Sequence, residues 1–464
     1  LLGGCVSTST AADQSRVREL TSVPQLARVT EDDVDPASDE DARRLLTRPI
    51  DADAAVRIAL LNNRELRATL REVGVARGQL VQAGLLPNPR VEVELLPERN
   101  SKIALRAEYH VTGAVLAPLR ARAAEPDLDA ARYRAAAAVV AVGYEVRRAF
   151  VAVQAAELRL GLAERTLDVL AAGREAADAL LEAGNIPELE ASQQIAAFER
   201  ARAVTAGLEL ELASSRERLH RLLGVHGEQT QWELDGPLPA LPELPPGDEQ
   251  IETRVLQANF ELKEAKLRLE GLARRAGVAR TAGWLPDVVA DVHGLRGDPS
   301  AATGEGGEWL FGVGVNVSLP VFDRNQGTVT ALGAEFDAAL ERMYGQAIAL
   351  RSAAREARNR VQSTFGRARH YQTVILPALA RVTEQSLLQY NAMQIGIFQL
   401  LQARREQLEA ELAFVDVLRD YWQSTAELAA LTAGATPGSS AAPDGGRAAS
   451  SLRSLAGTPQ NGGH

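Results

Sequence analysis

Greasy and polar positions alternate along this chain in two rhythms, one helical and one of period two, and the same succession occurs twice. A 3–4 spacing covers about 51–83, with Val56, Ala59, Leu60, Asn63 and Leu66 on one face. Asp51 or Asp53 suits its N-terminal cap, and Pro87 and Pro89 stop it. Period two then takes over. In 103–115 one parity holds Ile103, Leu105, Ala107, Tyr109, Val111, Gly113 and Val115 against Ala104, Arg106, Glu108, His110, Thr112 and Ala114. The later copy is cleaner, with Phe311, Val313, Val315, Val317 and Leu319 against Gly312, Gly314, Asn316 and Ser318. Such alternation predicts strands with one apolar and one wet face. Their partners are 90–96 and 287–295, joined through tips at 97–101 and about 296–307.

Each predicted hairpin of strands leads into two very long helical patterns. From about 127 to 181 Val139, Val142, Val146, Phe150 and Val153 keep a coiled-coil-like spacing. At 1.5 Å per residue such a helix is roughly 80 Å long. It breaks at Glu182-Ala183-Gly184-Asn185-Ile186-Pro187, where Gly184 suits a helix C-terminus and Pro187 a restart, and returns to about 223. The second copy breaks at Asn391-Ala392-Met393-Gln394-Ile395-Gly396 and returns through Leu401, Leu408, Leu412, Val415 and Trp422.

The duplication is also literal. Ala83-Gly84-Leu85-Leu86-Pro87-Asn88 recurs as Ala282-Gly283-Trp284-Leu285-Pro286-Asp287, and Asn63-Arg64-Glu65-Leu66 as Asn259-Phe260-Glu261-Leu262. Two copies with a period near two hundred residues do not make a solenoid. The expected organisation is a stub and polar tether over 1–50, a first repeat over 51–223, a Pro/Gly-rich linker over 224–250, a second repeat over 251–433 and a low-complexity, disordered tail over 434–464.

Composition narrows the function. The net charge of −10 argues against a nucleic-acid partner. Aromatics are scarce at 4%, and Ala, Leu, Arg and Glu dominate, which is a long-helix composition. The single cysteine, Cys5, excludes an internal disulfide. It stands in Leu2-Gly3-Gly4-Cys5, which resembles a bacterial lipobox and marks Cys5 as a candidate lipidation site. No run of eighteen apolar residues occurs, which excludes a transmembrane helix but not a membrane β-barrel, whose signal is alternation.

Four strands cannot close a barrel, and an open edge cannot sit in lipid. If the apolar parity faces a bilayer, several chains must pool their strands, and the polar parity, with Arg106, Glu108, His110, Asn316 and Ser318, lines a water-filled passage. Alternation alone also fits a soluble sheet packed on helices, as the lesser alternative, and the helices alone fit a coiled-coil scaffold. Enzyme chemistry is absent: there is no P-loop, no dinucleotide fingerprint and no His-Glu-x-x-His, so neither catalysis nor a cofactor is expected. His110 and His293 fall on different strands and do not make the three- or four-ligand set of a metal site.

These residues resemble the TolC-like outer-membrane efflux proteins over about 48–432. The likeness rests on Leu86-Pro87-Asn88-Pro89, on Ser318-Leu319-Pro320-Val321-Phe322-Asp323-Arg324-Asn325-Gln326-Gly327, and on the turns around Gly184 and Gly396. Ala117-Pro118-Leu119 reads as a degenerate first-repeat counterpart of Leu319-Pro320-Val321. The Asp-Arg-Asn-Gln-Gly form is most similar to the metal-efflux, CzcC/CusC-like branch. The resemblance implies a mainly α fold with β: a homotrimer whose four strands per chain build a twelve-stranded transmembrane β-barrel, and whose duplicated helical hairpins build a periplasmic α-barrel. It implies a place in the outer membrane, docked to a periplasmic adaptor and an inner-membrane pump of the RND type, and the lipobox-like Leu2-Gly3-Gly4-Cys5 adds the expectation of a lipid anchor. The exported solute is a metal ion or a drug. A duct for type I protein secretion, or an adaptor or scaffold without a channel, are the alternatives, and the whole-length duplication speaks against the adaptor. Three chains would ring the helical tips, making Glu182, Gly184, Glu188, Met393 and Gln394 the candidate periplasmic aperture, with Glu182, Glu188 and Glu190 favouring cations.

Overall fold

The structure is a computed structural model and describes residues 11–21, 36–96, 102–245, 250–296 and 309–436. Cys5 and both strand-hairpin tips lie outside the described residues. Two compact units divide the chain. One draws on 1–42, 61–136 and 250–356, and the other on 43–60, 137–249 and 357–464, so each takes segments of both repeats.

In the first unit the region expected to be a structureless tether contributes helix α1 (Ala11–Thr21), followed by α2 (Pro36–Leu46). Polar composition hid α1 because its anchor is a charge. Asp13 is fully buried and accepts from Arg77 Nε (2.8 Å) and Nη2 (2.6 Å) and from Arg132 Nε (3.0 Å). Burial opposes the Asp13 charge. The hydrogen bonds and charges of Arg77 and Arg132 outweigh it and hold the carboxyl below its usual range.

The single helix expected over 51–83 is two, α3 (Ala52–Asn62) and α4 (Arg64–Gly84). The recurring Asn explains the break. Asn63 accepts from the Leu66 N–H at 2.9 Å, and Asn259 does the same for Leu262 at 2.8 Å, between α7 (Ile251–Ala258) and α8 (Phe260–Ala282). Each copy of the motif is thus an N-cap that starts a new helix.

Strands β1 (Arg90–Leu96), β2 (Lys102–His110), β3 (Asp287–Arg296) and β4 (Trp309–Ser318) form one antiparallel sheet in the order β1-β2-β3-β4. The second strand is shorter than the 103–115 expected, because α5 (Val111–Glu182) starts at Val111. The Thr112 hydroxyl accepts from Val288 N–H and donates to Pro286 O, both at 2.8 Å, and so ends the ladder just past the His110–Val289 pair. Val111 and Val115 also satisfy an i, i+4 spacing, so the alternation there does not discriminate. α5 accordingly begins well before the expected 127 and contains Pro118 and Pro126. In the second repeat residues 319–325 are irregular, and α9 (Gln326–His370) starts only after them.

The second unit holds the tip-side parts of both helical hairpins, from 137 to 223 and from 357 onward. The later part of α5 and α6 (Glu188–Leu223) make the first. Val139, Val146, Phe150 and Val153 are buried, as their spacing predicts. The second is α9, a π-helical turn at Tyr371–Ile375, α10 (Leu376–Asn391) and α11 (Ile397–Thr432). The linker packs as a strap. Ile50 pairs with Leu234, and Gln154 Nε2 donates to the carbonyls of Gly236 (3.2 Å) and Pro237 (3.1 Å). Trp422 Nε1 donates to Pro239 O (2.9 Å), and Leu238 joins a core of Ala155, Leu162, Leu408, Val415 and Leu418.

Candidate functional site: a two-faced strand wall and two helical tips

The register fixes both faces of the sheet. Val93–Leu105–Gly294–Phe311 and Val91–Ala107–Val292–Val313 run across all four strands on one side. This face is bare: Val313 is 84% and Val315 69% exposed. A soluble sheet packed on the helices would have covered them, so that alternative falls. Trp309 and Phe311 stack at 5.9 Å at the tip end of this face, against Gly294. At the foot of the strands Trp284 and Phe322 are exposed, and the Arg324 guanidinium lies 5.1 Å from the Trp284 ring centre.

The opposite face is charged. Its rows are Arg90–Glu108–Asp291–Gly314 and Glu92–Arg106–His293–Gly312, and His110, Val289 and Asn316 make a third. All five strand residues expected on the wet side, Arg106, Glu108, His110, Asn316 and Ser318, therefore share this face. Arg90 and Asp291 join them there, and Asp291 stands in a weaker pattern. Alternation over 287–295 points to Asp291, but Val289 and Leu295 on the same parity dilute the signal. Asp291 Oδ2 lies 2.9 Å from His293 Nδ1, and Arg106 reaches toward Glu108 at 3.8 Å.

The foot of β4 is built by side chains. Asn325 takes a left-handed backbone (φ 58°), and its amide donates to Ala279 O at 3.2 Å. Asp323 accepts from Asn325 N–H (2.9 Å), and Gln326 accepts from Arg324 N–H (2.7 Å). The duplicated Gly283 lies directly against the Arg324 carbonyl, where a Cβ has no room. The Asp-Arg-Asn-Gln motif is therefore a turn that locks the end of β4 onto the end of α8.

The two helical tips share one geometry. Gly184 (φ 72°) and Met393 (φ 57°) occupy the left-handed position. Asn185 N–H donates to Leu180 O (2.8 Å), and Gln394 N–H to Gln389 O (2.9 Å), the six-to-one bond of a Schellman ending. Glu182, Gly184, Glu188, Met393 and Gln394 are all exposed on these turns. Among the described residues no group of three His, Cys, Asp or Glu is placed to hold a metal ion, and no helix is long and apolar enough to cross a membrane.

An uncovered apolar strand face, backed by a charged one and ending in open edges, defines a membrane sheet of the kind that closes into barrels. Comparison with known sequences gives the particular family. The chain belongs to the outer membrane efflux proteins, whose family pattern matches residues 55–225 and 253–434. It is 25% identical over 385 residues to the cobalt-zinc-cadmium resistance protein CzcC of Cupriavidus metallidurans, covering 81% of this chain and 88% of that one. Among solved structures it resembles CusC, with a TM-score of 0.66 and 19% identity over 82% of this chain and 91% of that one. It also resembles the Campylobacter jejuni CmeC outer membrane channel, with a TM-score of 0.68 and 17% identity over 84% and 86%. The chain is thus an outer membrane efflux protein by family and by fold. Family membership sets aside the adaptor and the helical scaffold.

Proposed function

We propose that three copies of the chain pool their sheets into a twelve-stranded β-barrel, with the bare apolar face on lipid and the charged face on a water-filled passage. The observation that carries this reading is the two-faced sheet with unpaired edges at β1 and β4. Lipid offers no hydrogen bonds to an open edge, so closure needs further copies. The helical hairpins continue the passage into the periplasm as a tube, where an adaptor joins it to an inner-membrane RND-type pump. The duct is passive and catalyses nothing. The relationship to a cobalt-zinc-cadmium resistance protein favours metal ions over drugs or proteins as cargo. Cys5 carries a lipid that assists localisation.

The facing is tested by a pair of substitutions. Val315→Arg puts a charge on the lipid face, costs about 2–4 kcal/mol at mid-bilayer and prevents trimer assembly. Asn316→Arg assembles and changes conductance. Equal behaviour of the two overturns the facing. Labelled palmitate incorporated equally by the precursor and by Cys5→Ala would remove the lipid anchor alone.

Three chains bring six helical tips together, and we place the resting aperture among Glu182, Gly184, Glu188, Met393 and Gln394. Joint replacement of Glu182 and Glu188 by Gln lowers cation preference in planar-bilayer recordings while the trimer persists. Unchanged selectivity moves the constriction away from the first tip.

A further inference from the structure

We propose that Asp291 and His293 form a transient contact site for divalent transition-metal cations on the charged strand face. The proposal rests on the reading of that face as the channel lining. Its basis is a geometry that four residues build together. Asp291 Oδ2 and His293 Nδ1 are 2.9 Å apart, so in the neutral ring the carboxylate holds the proton on Nδ1 and the Nε2 lone pair is the one left for a ligand. No described residue hydrogen-bonds Nε2. A carboxylate behind an imidazole both fixes the ring and raises its basicity, which is the outer half of a carboxylate–histidine–metal arrangement.

The floor beneath the pair is made of glycine. β4 sets Gly314 opposite Asp291 and Gly312 opposite His293. A Cβ at Gly312 would fall well inside contact distance of His293 Nε2, and one at Gly314 well inside that of Asp291 Oδ1. The two side chains therefore lie flat across β4 instead of standing into the passage, and any other residue at 312 or 314 would displace them. Asp291 is largely covered, while the His293 side chain is about half exposed.

The surroundings tolerate a cation. Arg106 is the β2 partner of His293, but its guanidinium turns toward Glu108, 3.8 Å away, which offsets its charge. With Asp291 added, the three formal charges around the neutral imidazole sum to minus one. Imidazole nitrogen selects zinc, cobalt, nickel and copper over magnesium and calcium, which prefer sets of oxygens. A single imidazole completed by water holds an ion weakly, as a wall that must also release it requires.

The test is the assembled full-length channel in a planar bilayer, titrated with Zn²⁺ and separately with Mg²⁺. Zn²⁺ is expected to reduce conductance reversibly, and Mg²⁺ at the same concentration to leave it unchanged. His293→Ala should abolish the zinc effect, and His110→Ala, on the same face, should retain it. Asp291→Asn should raise the half-effective zinc concentration about tenfold. X-ray absorption of the zinc-loaded trimer should show an imidazole signature that His293→Ala removes. A conducting channel with the same zinc response before and after His293→Ala overturns the contact site and leaves the channel standing. A wild-type protein that assembles but conducts nothing overturns the channel reading and the contact site together.

Discussion

The two repeats solve the same passage from strand to helix in different ways. In the first, β2 runs into α5 with no break, and Pro118 is absorbed inside the helix. In the second, the matching Leu319-Pro320-Val321 stays outside the helix, and a turn of Asp323, Arg324, Asn325 and Gln326 must be held by side chains before α9 can begin. Their helical hairpins differ too. α5 is continuous through Pro118 and Pro126 and carries buried Leu162, Ala163, Thr166, Leu170 and Ala177 toward its tip. The second hairpin inserts a π turn, with Leu376 N–H bonded to Tyr371 O just ahead of Pro377, and buries nothing from Tyr371 to Asn391. Pro377 can neither donate an N–H nor clear the carbonyl four residues back, and the extra residue of a π turn relieves that clash. Duplicated sequence thus yields one repeat tied by continuous helix and one tied by local turns.

Four experiments break or sharpen that contrast. The largest effect is expected at the paired glycines. A Cβ at Gly283 collides with the backbone of Arg324, whereas one at Gly84 meets only the Ala121 Cβ at 3.3 Å. Gly283→Ala should cost about 3 kcal/mol and lower the yield of folded protein, and Gly84→Ala far less. Similar losses in urea denaturation would mean the two junctions are equivalent after all.

Next come the charges that hold each repeat's leading helix. Asp13 of α1 pins α4 and α5 from a fully buried position, while α8 is held to α5 by Arg274–Glu125 (3.0 Å) and Arg275–Asp127 (2.6 Å), whose side chains are about a third or more exposed. Asp13→Asn should cost about 2–3 kcal/mol, and Asp127→Asn less than about 1. Because the folded carboxyl of Asp13 is depressed, its contribution is present above its unfolded pKa and is lost as pH falls through the folded one. The melting temperature of the wild type should therefore fall more steeply below about pH 4 than that of Asp13→Asn. Parallel curves would show that the pin does not carry the charge.

The tips invite a reciprocal exchange. Gly184→Ala places a side chain at a left-handed backbone and should cost about 1 kcal/mol, while Met393→Gly removes that strain and should gain about as much, read as opposite shifts in thermal midpoint. Shifts of the same sign would show that contacts at the tips outweigh the backbone. The smallest contrast is a control. Asn63→Ala and Asn259→Ala each remove one cap bond of nearly equal length and should each cost about 1 kcal/mol. A large difference between them would show that interactions beyond the cap bond distinguish the two copies.

The sequence by itself determined what local physics can enforce. Period two cannot be satisfied by a helix, so the two faces of β4 and the side occupied by Arg106 and Glu108 were legible from alternation. Gly184 and Pro187 marked the first tip, and the duplication announced a second, equivalent hairpin, although its left-handed residue is Met393. Tertiary structure decided where local signals tie or fall silent. Val111 and Val115 suit either period, and the Thr112 bonds to Pro286 and Val288, 174 and 176 residues away, choose the helix. The recurring Asn-x-Glu-Leu was visible as a repeat, but its role as a cap appears only when the N–H three residues on is placed over the side chain. Asp13 sits in a polar stretch with no period, because the energy that fixes it lies in two arginines 64 and 119 residues away. Asp291, His293, Gly312 and Gly314 meet only through the pairing of β3 with β4. A register is a relation between strands, so no pattern along one strand can state it.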